Sequence, residues 1–362
     1  MKKKRILFIA SHRPGRAPGQ RFRFEQYFSF LEAHGFECEL SYTLTAEDDR
    51  ILYQRGNYAK KALIQWRSLR RRRMDAARAN DFDIVFIFRE ALLTGSTRFE
   101  EQFAGSKAKV VFDFDDAIWH LDVSEANRMF GWLKKPGKTG KIIGMSDMVF
   151  AGNNYLAEYA RRFNSNVVIV PTTIDTDEYR REAVDREPGT LTIGWSGSIT
   201  TIKHFEFALP FLRRLKKTHG HRLAIKVIGD GSYVNEELGI RGLAWRKEDE
   251  VRELSSFDIG IMPLPDDEWA NGKCGLKGLQ YMALGIPTLM SPVGVNSEIV
   301  QQGVNGFLPA TMDDWVGQIE TLIASPELRR SMGEAARTTV EAKYSVNAWK
   351  ERYVGYFRTL LQ

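Results

Sequence analysis

Short runs of apolar residues, rich in β-branched and aromatic side chains, recur along this sequence between segments long enough to form helices. In the first half they cover residues 6–10, 84–88, 110–114 and 167–170, and in the second half residues 191–195, 223–228, 259–262 and 287–290. Runs of this length are typical of strands that are buried on both faces of a parallel sheet. Their alternation with helix-length segments predicts two successive α/β units.

The length of 362 residues also favours two domains, because one hydrophobic core rarely organises so many residues. We place a first domain at residues 1–175, a linker at 176–189 and a second domain at 190–344. The linker assignment depends on a dense run of charged residues that ends at the turn pair Pro188-Gly189. Residues 345–362 have apolar side chains three and four positions apart, which predicts an amphipathic helix that completes the first domain.

The composition excludes several classes of protein. No stretch approaches the roughly 20 consecutive apolar residues of a membrane-spanning helix. Cys38 and Cys274 are far apart and match no metal-ligand spacing, so neither a disulfide framework nor a zinc site is predicted. The first apolar run lacks the cleavage pattern of a signal peptide, and we expect a cytoplasmic protein.

The net charge of +6 is concentrated in one basic segment, residues 58–79, which we predict to be a helix. Its cations are Lys60, Lys61, Arg67, Arg70, Arg71, Arg72, Arg73 and Arg78. A solvated helix face is one interpretation, and contact with an anionic membrane surface or a phosphate-bearing acceptor is another. We expect no nucleic acid, because aromatic stacking platforms are not interleaved with the charges. Membrane contact would place the protein peripherally at the inner face of the membrane.

A glycine-rich stretch, NGKCGLKGLQYMALGIP at residues 271–287, has the form of a phosphate-binding turn that leads into a helix. Gly272 and Gly275 would allow close approach of the backbone, whose unpaired N–H groups at a helix start bind phosphate. Lys273 and Lys277 would add positive charge beside a diphosphate. The alternative is an ordinary strand-to-helix connection with incidental lysines, since a glycine-rich turn alone is a weak signal.

Two further turns follow strands of the second half. The segment GWSGSITTIK at residues 194–203 ends at Lys203, where a helix begins and an anion would be well bound. Its alternative is a loop with a helix cap at Ser198. The turn IGDG at residues 228–231 would bring the backbone at Gly229 and Gly231 near a ribose or a base, although most such turns bind nothing.

In the first half, FDFDDAIWH at residues 112–120 places three carboxylates and a histidine where a buried strand ends. Close carboxylates repel one another unless a cation or hydrogen-bond donors compensate, so the segment predicts a functional site. A hydrogen-bonded turn or helix cap is the alternative, and a divalent metal bound by the Asp-x-Asp pair is a third interpretation, although we expect no metal site.

Four arginines lie in RPGRAPGQRFR at residues 13–23, between the first strand and a helix. This segment would face the same sheet edge as the aspartates, because the carboxyl ends of parallel strands meet there. It would hold an anionic acceptor or close over a bound diphosphate. The alternative is a mobile surface loop.

Several motifs together resemble those of the family 4 retaining glycosyltransferases. The strongest are DIGIMPL at residues 258–264, LQYMALGIPT at 279–288, SPVG at 291–294 and EIVQQGVNGF at 298–307. VPTTID at 170–175 and GDG at 229–231 are similar to the family's interdomain segment and second-domain turn. The resemblance covers nearly the whole chain. It implies the GT-B fold, an α/β architecture of two Rossmann-like domains that face a central cleft, with a C-terminal helix that crosses back to the N-terminal domain.

The resemblance also implies transfer of a sugar, with retention of configuration, from a nucleoside diphosphate sugar to a hydroxyl of a glycan or lipid-linked acceptor. No cofactor would be required, and cell-surface polysaccharide or glycolipid synthesis is the expected context. The residues assigned to the donor diphosphate are Ser198, Lys203, Lys273, Gly275, Leu276 and Lys277; to ribose and base, Gln280, Gly229 and Gly231; to catalysis, Asp115 and Asp116; and to an acceptor or closure loop, Gly19, Gln20 and Arg21.

The sequence departs from the family pattern at the donor motif. The family has two glutamates separated by seven residues, and Gly272 and Gln280 occupy their positions here. Ser198 stands at the position of a phosphate-binding arginine, and Asp115 at that of a histidine near the reacting sugar. Two other functions therefore stay open: a nucleotide-sugar-binding protein without catalysis, and a GT-B-type sugar-nucleotide epimerase that needs no acceptor.

Overall fold

The chain divides into two compact units. The computed structural model describes residues 3–52, 54, 56–120, 137–185 and 187–362. Met1–Thr172 and Lys350–Gln362 form the first unit, and Thr173–Trp349 form the second. Among the helices in these described ranges, none combines the length and the apolar character needed to cross a membrane.

The first unit is built on a parallel sheet with helices packed against it. Its described strands are β1 Lys4–Ile9, β2 Phe36–Ser41, β3 Ile84–Phe88, β4 Lys109–Phe114, β5 Met148–Ala151 and β6 Val167–Ile169. Its described helices are α1 Pro18–Arg23, α2 Phe28–Ala33, α3 Ala46–Leu52, α4 Tyr58–Ala77, α5 Arg98–Ala104, α6 Gly137–Met145 and α7 Asn154–Arg161. The strands pair in parallel in the order β2-β1-β3-β4-β5-β6.

The predicted strands of the first half are confirmed, and the predicted basic helix is α4. The apolar runs failed to predict β2 and β5. Strand β2 pairs only with β1 among the described strands, so it tolerates the charged residues Glu37 and Glu39. Strand β5 is only four residues long, although all four are buried. Periodicity is a weak signal for an edge strand and for so short a run.

A C-terminal helix completes the core of the first unit. The last helix of the chain spans Val346–Leu360, and its residues from Lys350 onward belong to this unit. The ring of Tyr353 stacks on that of Tyr27 with 4.2 Å between centroids. Phe357 is fully buried and contacts Phe86 and Phe150. The predicted amphipathic helix is therefore confirmed, and its apolar face covers the sheet of the first unit.

The second unit is built on another parallel sheet. Its described strands are β7 Leu191–Ser196, β8 Leu223–Gly229, β9 Val234–Asn235, β10 Ile240–Arg241, β11 Leu243–Ala244, β12 Ile259–Met262 and β13 Thr288–Met290. Its helices are α8 Ile202–Glu206, α9 Leu209–His219, α10 Glu250–Ser255, α11 Glu268–Asn271, α12 Leu276–Ala283, α13 Asn296–Ile299, α14 Met312–Ala324 and α15 Pro326–Lys343, and the last helix of the chain is α16. The sheet order is β11-β8-β7-β12-β13, and β9 and β10 form a separate antiparallel pair.

The segment that we expected to be a linker, residues 176–189, is described apart from Arg186. Its first part packs on the second unit. Tyr179 is fully buried, and its hydroxyl donates a hydrogen bond of 2.6 Å to Glu250. Arg181 donates a hydrogen bond to the carbonyl oxygen of Phe257. Although the segment is rich in charged residues, its first part is therefore packed on the second unit.

Candidate functional site

The loops after β7 and β8 touch backbone to backbone. The amide of Gly197 donates a hydrogen bond of 2.9 Å to the carbonyl oxygen of Ile228. Gly229 has a φ of +136°, and a Cβ placed on it would lie 1.9 Å from the carbonyl oxygen of Gly197. Only glycine fits this contact, so Gly229 has a packing role. The roles predicted for Gly229 and Gly231 in binding a ribose or base stay predictions.

The segment after β7 turns into α8 through a capped turn. Ser198 and Thr201 form a reciprocal capping arrangement, in which the amide of Ser198 donates to the Thr201 hydroxyl at 2.9 Å. The helix-cap interpretation of Ser198 is therefore correct, and its contact with a diphosphate stays a prediction. Because the turn is short, it places Lys203 in the first turn of α8.

Gly275 is the N-cap residue of α12. This glycine has a φ of +71°, and a Cβ on it would lie 2.4 Å from Cδ1 of Ile299. Leu276 and Lys277 form the first turn of the helix, where backbone N–H groups have no intrahelical acceptor. A helix start of this kind offers N–H donors and the positive end of the helix dipole to an anion.

His204 is a buried histidine that is affected by lysines of both glycine-containing motifs, at residues 194–203 and 271–287. Its side chain is 4% exposed, and Nδ1 has no hydrogen-bond partner among the described residues. Burial is the largest effect that lowers the pKa of His204 from its usual 6.5 to about 4. The positive charges of Lys277, Lys273 and Lys203 lower the pKa in the same direction, and Asp267 opposes them. Three cations therefore act electrostatically on one buried imidazole, which is neutral near pH 7.

Two of these lysines also lie over aromatic rings. The ammonium nitrogen of Lys277 is 5.6 Å from the centroid of Trp195, at the end of β7. The ammonium nitrogen of Lys273 is 4.8 Å from the centroid of Trp269. Cation–π contacts of this length help to hold an ammonium group in place. The lysines assigned to one diphosphate from separate motifs thus share one region of the second unit.

The low pKa of His204 predicts how stability changes with pH. Below pH 6.5 the unfolded chain binds a proton on this histidine, whereas the native protein does so only below about pH 4. The free energy of unfolding should therefore fall as the pH drops through this window, by about 2 kcal/mol after allowance for solvent screening. Thermal midpoints of the wild type and His204→Gln at pH 7.5 and 4.5 measure this. An equal pH response in both proteins would contradict the assignment.

Gln280, which occupies the position of a motif glutamate, lies in a buried hydrogen-bond network. Its side-chain amide nitrogen is 3.1 Å from the hydroxyl of Tyr179 and 3.2 Å from Oε1 of Glu250. Trp245 donates to the same carboxylate at 2.8 Å. The amide nitrogen therefore anchors α12 to α10. The predicted contact with ribose would have to be made by the amide oxygen, and it stays a prediction.

The three carboxylates at the end of β4 are neutralised by arginines. Asp113 is buried and forms an ion pair with Arg23. Asp115 and Asp116 both bind Arg89, at 2.7 and 2.5 Å. Arg23 and Arg89 therefore supply the positive charge that offsets the repulsion between the three carboxylates. Among the described residues, no group of three His, Cys, Asp or Glu side chains is arranged to bind a metal ion.

Arg89 and His204 are site residues that the sequence interpretation missed. Arg89 directly follows β3, at the edge where the carboxylates lie, and it adopts a left-handed backbone with a φ of +62°. Such a conformation is uncommon outside glycine and often marks a constrained site. The position of Arg89 directly after a buried strand could have indicated from the sequence that it is a site residue. His204 is the immediate neighbour of Lys203 in the sequence, but its burial had no sequence signature.

The segment at residues 13–23, in which Gly19, Gln20 and Arg21 are predicted to form an acceptor or closure loop, is partly helical, and these three residues lie in α1. Pro18 occupies the first position of α1, where its fixed φ favours a helix start. Gln20 is 1% exposed and hydrogen-bonds to the backbone of His12, and Arg21 is also buried. A Cβ on Gly19 would lie 3.0 Å from Oδ2 of Asp115, so α1 and the carboxylates do lie together.

Most arginines of the same segment bind carboxylates of the first unit. Arg13 and Arg16 both pair with Asp49. Burial by itself would raise the pKa of Asp49, but hydrogen bonds from His12 and Arg13 outweigh it and lower the pKa to about 2. Three of the four arginines, including Arg23, are therefore held by carboxylates, and the predicted role of this segment toward an anionic acceptor or a diphosphate stays a prediction.

Comparison with known proteins identifies the second unit. Residues 190–325 match the family model described as glycosyl transferases group 1. This part of the chain is therefore similar to the group 1 glycosyltransferases. The N-acetyl-alpha-D-glucosaminyl L-malate synthase of Bacillus anthracis is 32% identical over 129 residues, which cover 35% of this chain and 32% of that protein. The chain thus spans about a third of the length of this curated relative.

Solved structures show that the whole chain has the GT-B fold. Sucrose-phosphate synthase from Thermosynechococcus elongatus has a TM-score of 0.73 at 16% identity and 99% coverage of both chains. Anabaena Alr3699/HepE, crystallised with UDP-glucose, has a TM-score of 0.67 at 12% identity, covering 98% of this chain and 99% of that one. The predicted family resemblance and GT-B fold are confirmed.

Proposed function

We propose that this protein is a glycosyltransferase that moves a sugar from a nucleoside diphosphate sugar to an acceptor hydroxyl, with retention of anomeric configuration. The observation that carries the proposal is the joint electrostatic effect of three lysines on the buried His204, in the unit that matches the family model of group 1 glycosyltransferases. The fold shared with HepE, whose crystals contain UDP-glucose, supports a donor of the same class.

The donor diphosphate is the ligand that best matches the charge of this region. The positive charges of Lys203, Lys273 and Lys277 all act on His204, and a diphosphate in this region would be attracted by all three. The backbone N–H groups at Gly275 and Leu276 add donors at the start of α12. His204, which is neutral in its native environment, adds a further nitrogen without adding another charge to the cluster.

In the proposed reaction, the bond between the anomeric carbon and the diphosphate oxygen breaks while the acceptor oxygen bonds to that carbon. The acceptor proton passes to the leaving diphosphate. Negative charge builds up on the diphosphate in the transition state, and fixed ammonium and N–H groups stabilise that charge. We propose that these groups supply the stabilisation without a metal cofactor.

The acceptor is proposed to be a hydroxyl of a cell-surface polysaccharide or glycolipid. In the first unit, Asp115 and Asp116 extend from the end of β4, and Arg89 holds their orientation. A carboxylate held in this way can accept a hydrogen bond from a sugar hydroxyl and orient it. Gly272 and Gln280 stand where the family has glutamates, so selectivity for the donor sugar has to come from other residues.

Two other functions predict different products. A binding protein without catalysis would retain the nucleotide sugar unchanged, and an epimerase would convert it without an acceptor. Incubation with a panel of nucleotide sugars, with and without acceptor extracts, distinguishes these cases by chromatography and mass spectrometry. Release of nucleoside diphosphate together with a glycosylated acceptor supports transfer.

Binding of the donor class is testable before any acceptor is known. A nucleoside diphosphate at about a hundredfold excess over Kd should stabilise the native state by about 2.7 kcal/mol and raise the thermal midpoint by about 5 °C or more. The matching nucleosides and inorganic phosphate serve as controls. If none of the nucleoside diphosphates shifts the midpoint beyond these controls, the diphosphate assignment is wrong.

A further inference from the structure

Helix α4 exposes large apolar side chains on its outer face. Leu63, Trp66 and Met74 are 53%, 56% and 53% exposed. Because they are spaced three and eight residues apart, they lie on one side of the helix. Side chains of this size are usually covered in a soluble domain, and several on one face are typical of a surface with a partner.

Unpaired cations lie on the same face. Lys60, Arg70 and Arg73 are exposed, and their side chains form no hydrogen bond or ion pair with any other residue in the described part of the chain. Nearby carboxylates are already occupied, since Asp48 binds Arg67 and the buried Asp75 binds Arg72. The exposed face therefore keeps a net positive charge with no carboxylate of α4 on it.

The opposite face fixes the helix in the first unit. Ile64 and Ser68 are buried there. Arg72 is fully buried and donates hydrogen bonds to the carbonyl oxygens of Ala10 and Ala91. Lys61 donates a hydrogen bond of 2.7 Å to the carbonyl oxygen of Gln54. The outer face is thus presented by a helix of 20 residues that is ordered before any partner binds, so binding does not have to order it.

We propose that this face docks the first unit onto the surface of an anionic lipid bilayer. Trp66, Leu63 and Met74 would enter the boundary between headgroups and acyl chains, while Lys60, Arg70 and Arg73 would contact anionic headgroups. Nucleic acid explains only the cations, because Leu63 and Met74 offer no stacking surface to a base. The combination of large apolar side chains and unpaired cations on one rigid face matches a lipid surface.

Flotation of the full-length protein with lipid vesicles tests this proposal. Vesicles of phosphatidylcholine alone are compared with vesicles that also contain phosphatidylglycerol. We expect binding only to the second kind. The bound fraction should fall steeply between 0.1 M and 1 M salt, since the Debye length shortens from about 10 Å to about 3 Å.

Two variants separate the charged and apolar contributions. Arg70→Glu with Arg73→Glu should lower the vesicle partition coefficient about tenfold or more. Leu63→Ser with Trp66→Ser should lower it by a similar factor while the remaining binding keeps its salt dependence. The matched control is Lys217→Glu with Arg222→Glu, the same charge change at exposed positions of the second unit, and it should bind as the wild type does.

Folding of each variant is verified by circular dichroism and thermal midpoint, and Arg70→Gln with Arg73→Gln provides a milder substitution if the reversal perturbs the helix. Three results would overturn the proposal: equal binding to neutral and anionic vesicles, an equal loss in the control variant, or displacement of the protein from vesicles by duplex DNA that binds more tightly through the same residues. Because sugar transfer is not measured, failure here leaves the proposed function intact.

Discussion

Replacement of Lys277 by alanine is expected to lower kcat/KM for sugar transfer by about a hundredfold or more. Lys277 lies in the first turn of α12, next to the aromatic ring of Trp195 and within the electrostatic range of His204. A cation fixed beside the leaving diphosphate stabilises charge that develops in the transition state, and loss of one such group typically costs a factor of about 10² to 10³. Initial rates at varied donor concentration measure the change.

The control for Lys277→Ala is Lys217→Ala, which removes an exposed lysine from α9 of the same unit. Its kcat/KM should stay within about twofold of the wild type, because an exposed charge far from the donor contributes little. Lys203→Ala should resemble Lys277→Ala. If both site variants retain activity within about threefold of the wild type, the diphosphate lies elsewhere.

Arg23→Met is expected to destabilise the protein by about 3 to 5 kcal/mol, which corresponds to a thermal midpoint lower by about 10 °C. The side chains of Arg23 and Asp113 are each only 1% exposed and form an ion pair. Arg23 also donates to the carbonyl oxygen of Val170. The substitution leaves a buried carboxylate without its cation, and an uncompensated charge in the interior is costly.

A double variant and a surface variant make the explanation of this loss testable. Arg23→Met with Asp113→Leu should recover part of the stability, because it leaves no unpaired charge in the interior. Lys109→Met breaks a salt bridge of the same unit in which the two side chains are 49% and 33% exposed, and it should cost no more than about 1 kcal/mol. If the double variant is less stable than Arg23→Met, lost packing rather than the unpaired charge is the cause.

The sequence predicted the strands whose signal is local. Strands such as β3 and β4 are buried on both faces, so their own residues carry the apolar pattern. The edge strand β2 and the four-residue β5 do not carry it, and they were missed for that reason. The amphipathic spacing of the last helix predicted the helix itself equally well, because that spacing also depends only on nearby residues.

The residue types of the candidate site could be predicted from the sequence, but the contacts of each side chain could not. Glycines and lysines next to strand ends indicated an anion site before the fold was known. Whether Gln280 faces a ligand or a neighbouring helix depends on Tyr179 and Glu250, which are distant in sequence. The availability of Arg23 was likewise decided by Asp113, on another element. Burial and pairing of this kind arise only when elements pack.

By itself, the sequence determined that the chain forms two α/β units, that a glycine-rich turn opens a helix in the second unit, and that a basic helix lies in the first. Only the tertiary structure brought Lys273 and Lys277 within electrostatic range of His204, neutralised the β4 carboxylates with Arg23 and Arg89, and left one face of α4 both apolar and cationic. The physical reason is that secondary structure follows from short-range periodicity, whereas charge, burial and hydrogen bonding at a site depend on side chains that meet only after folding.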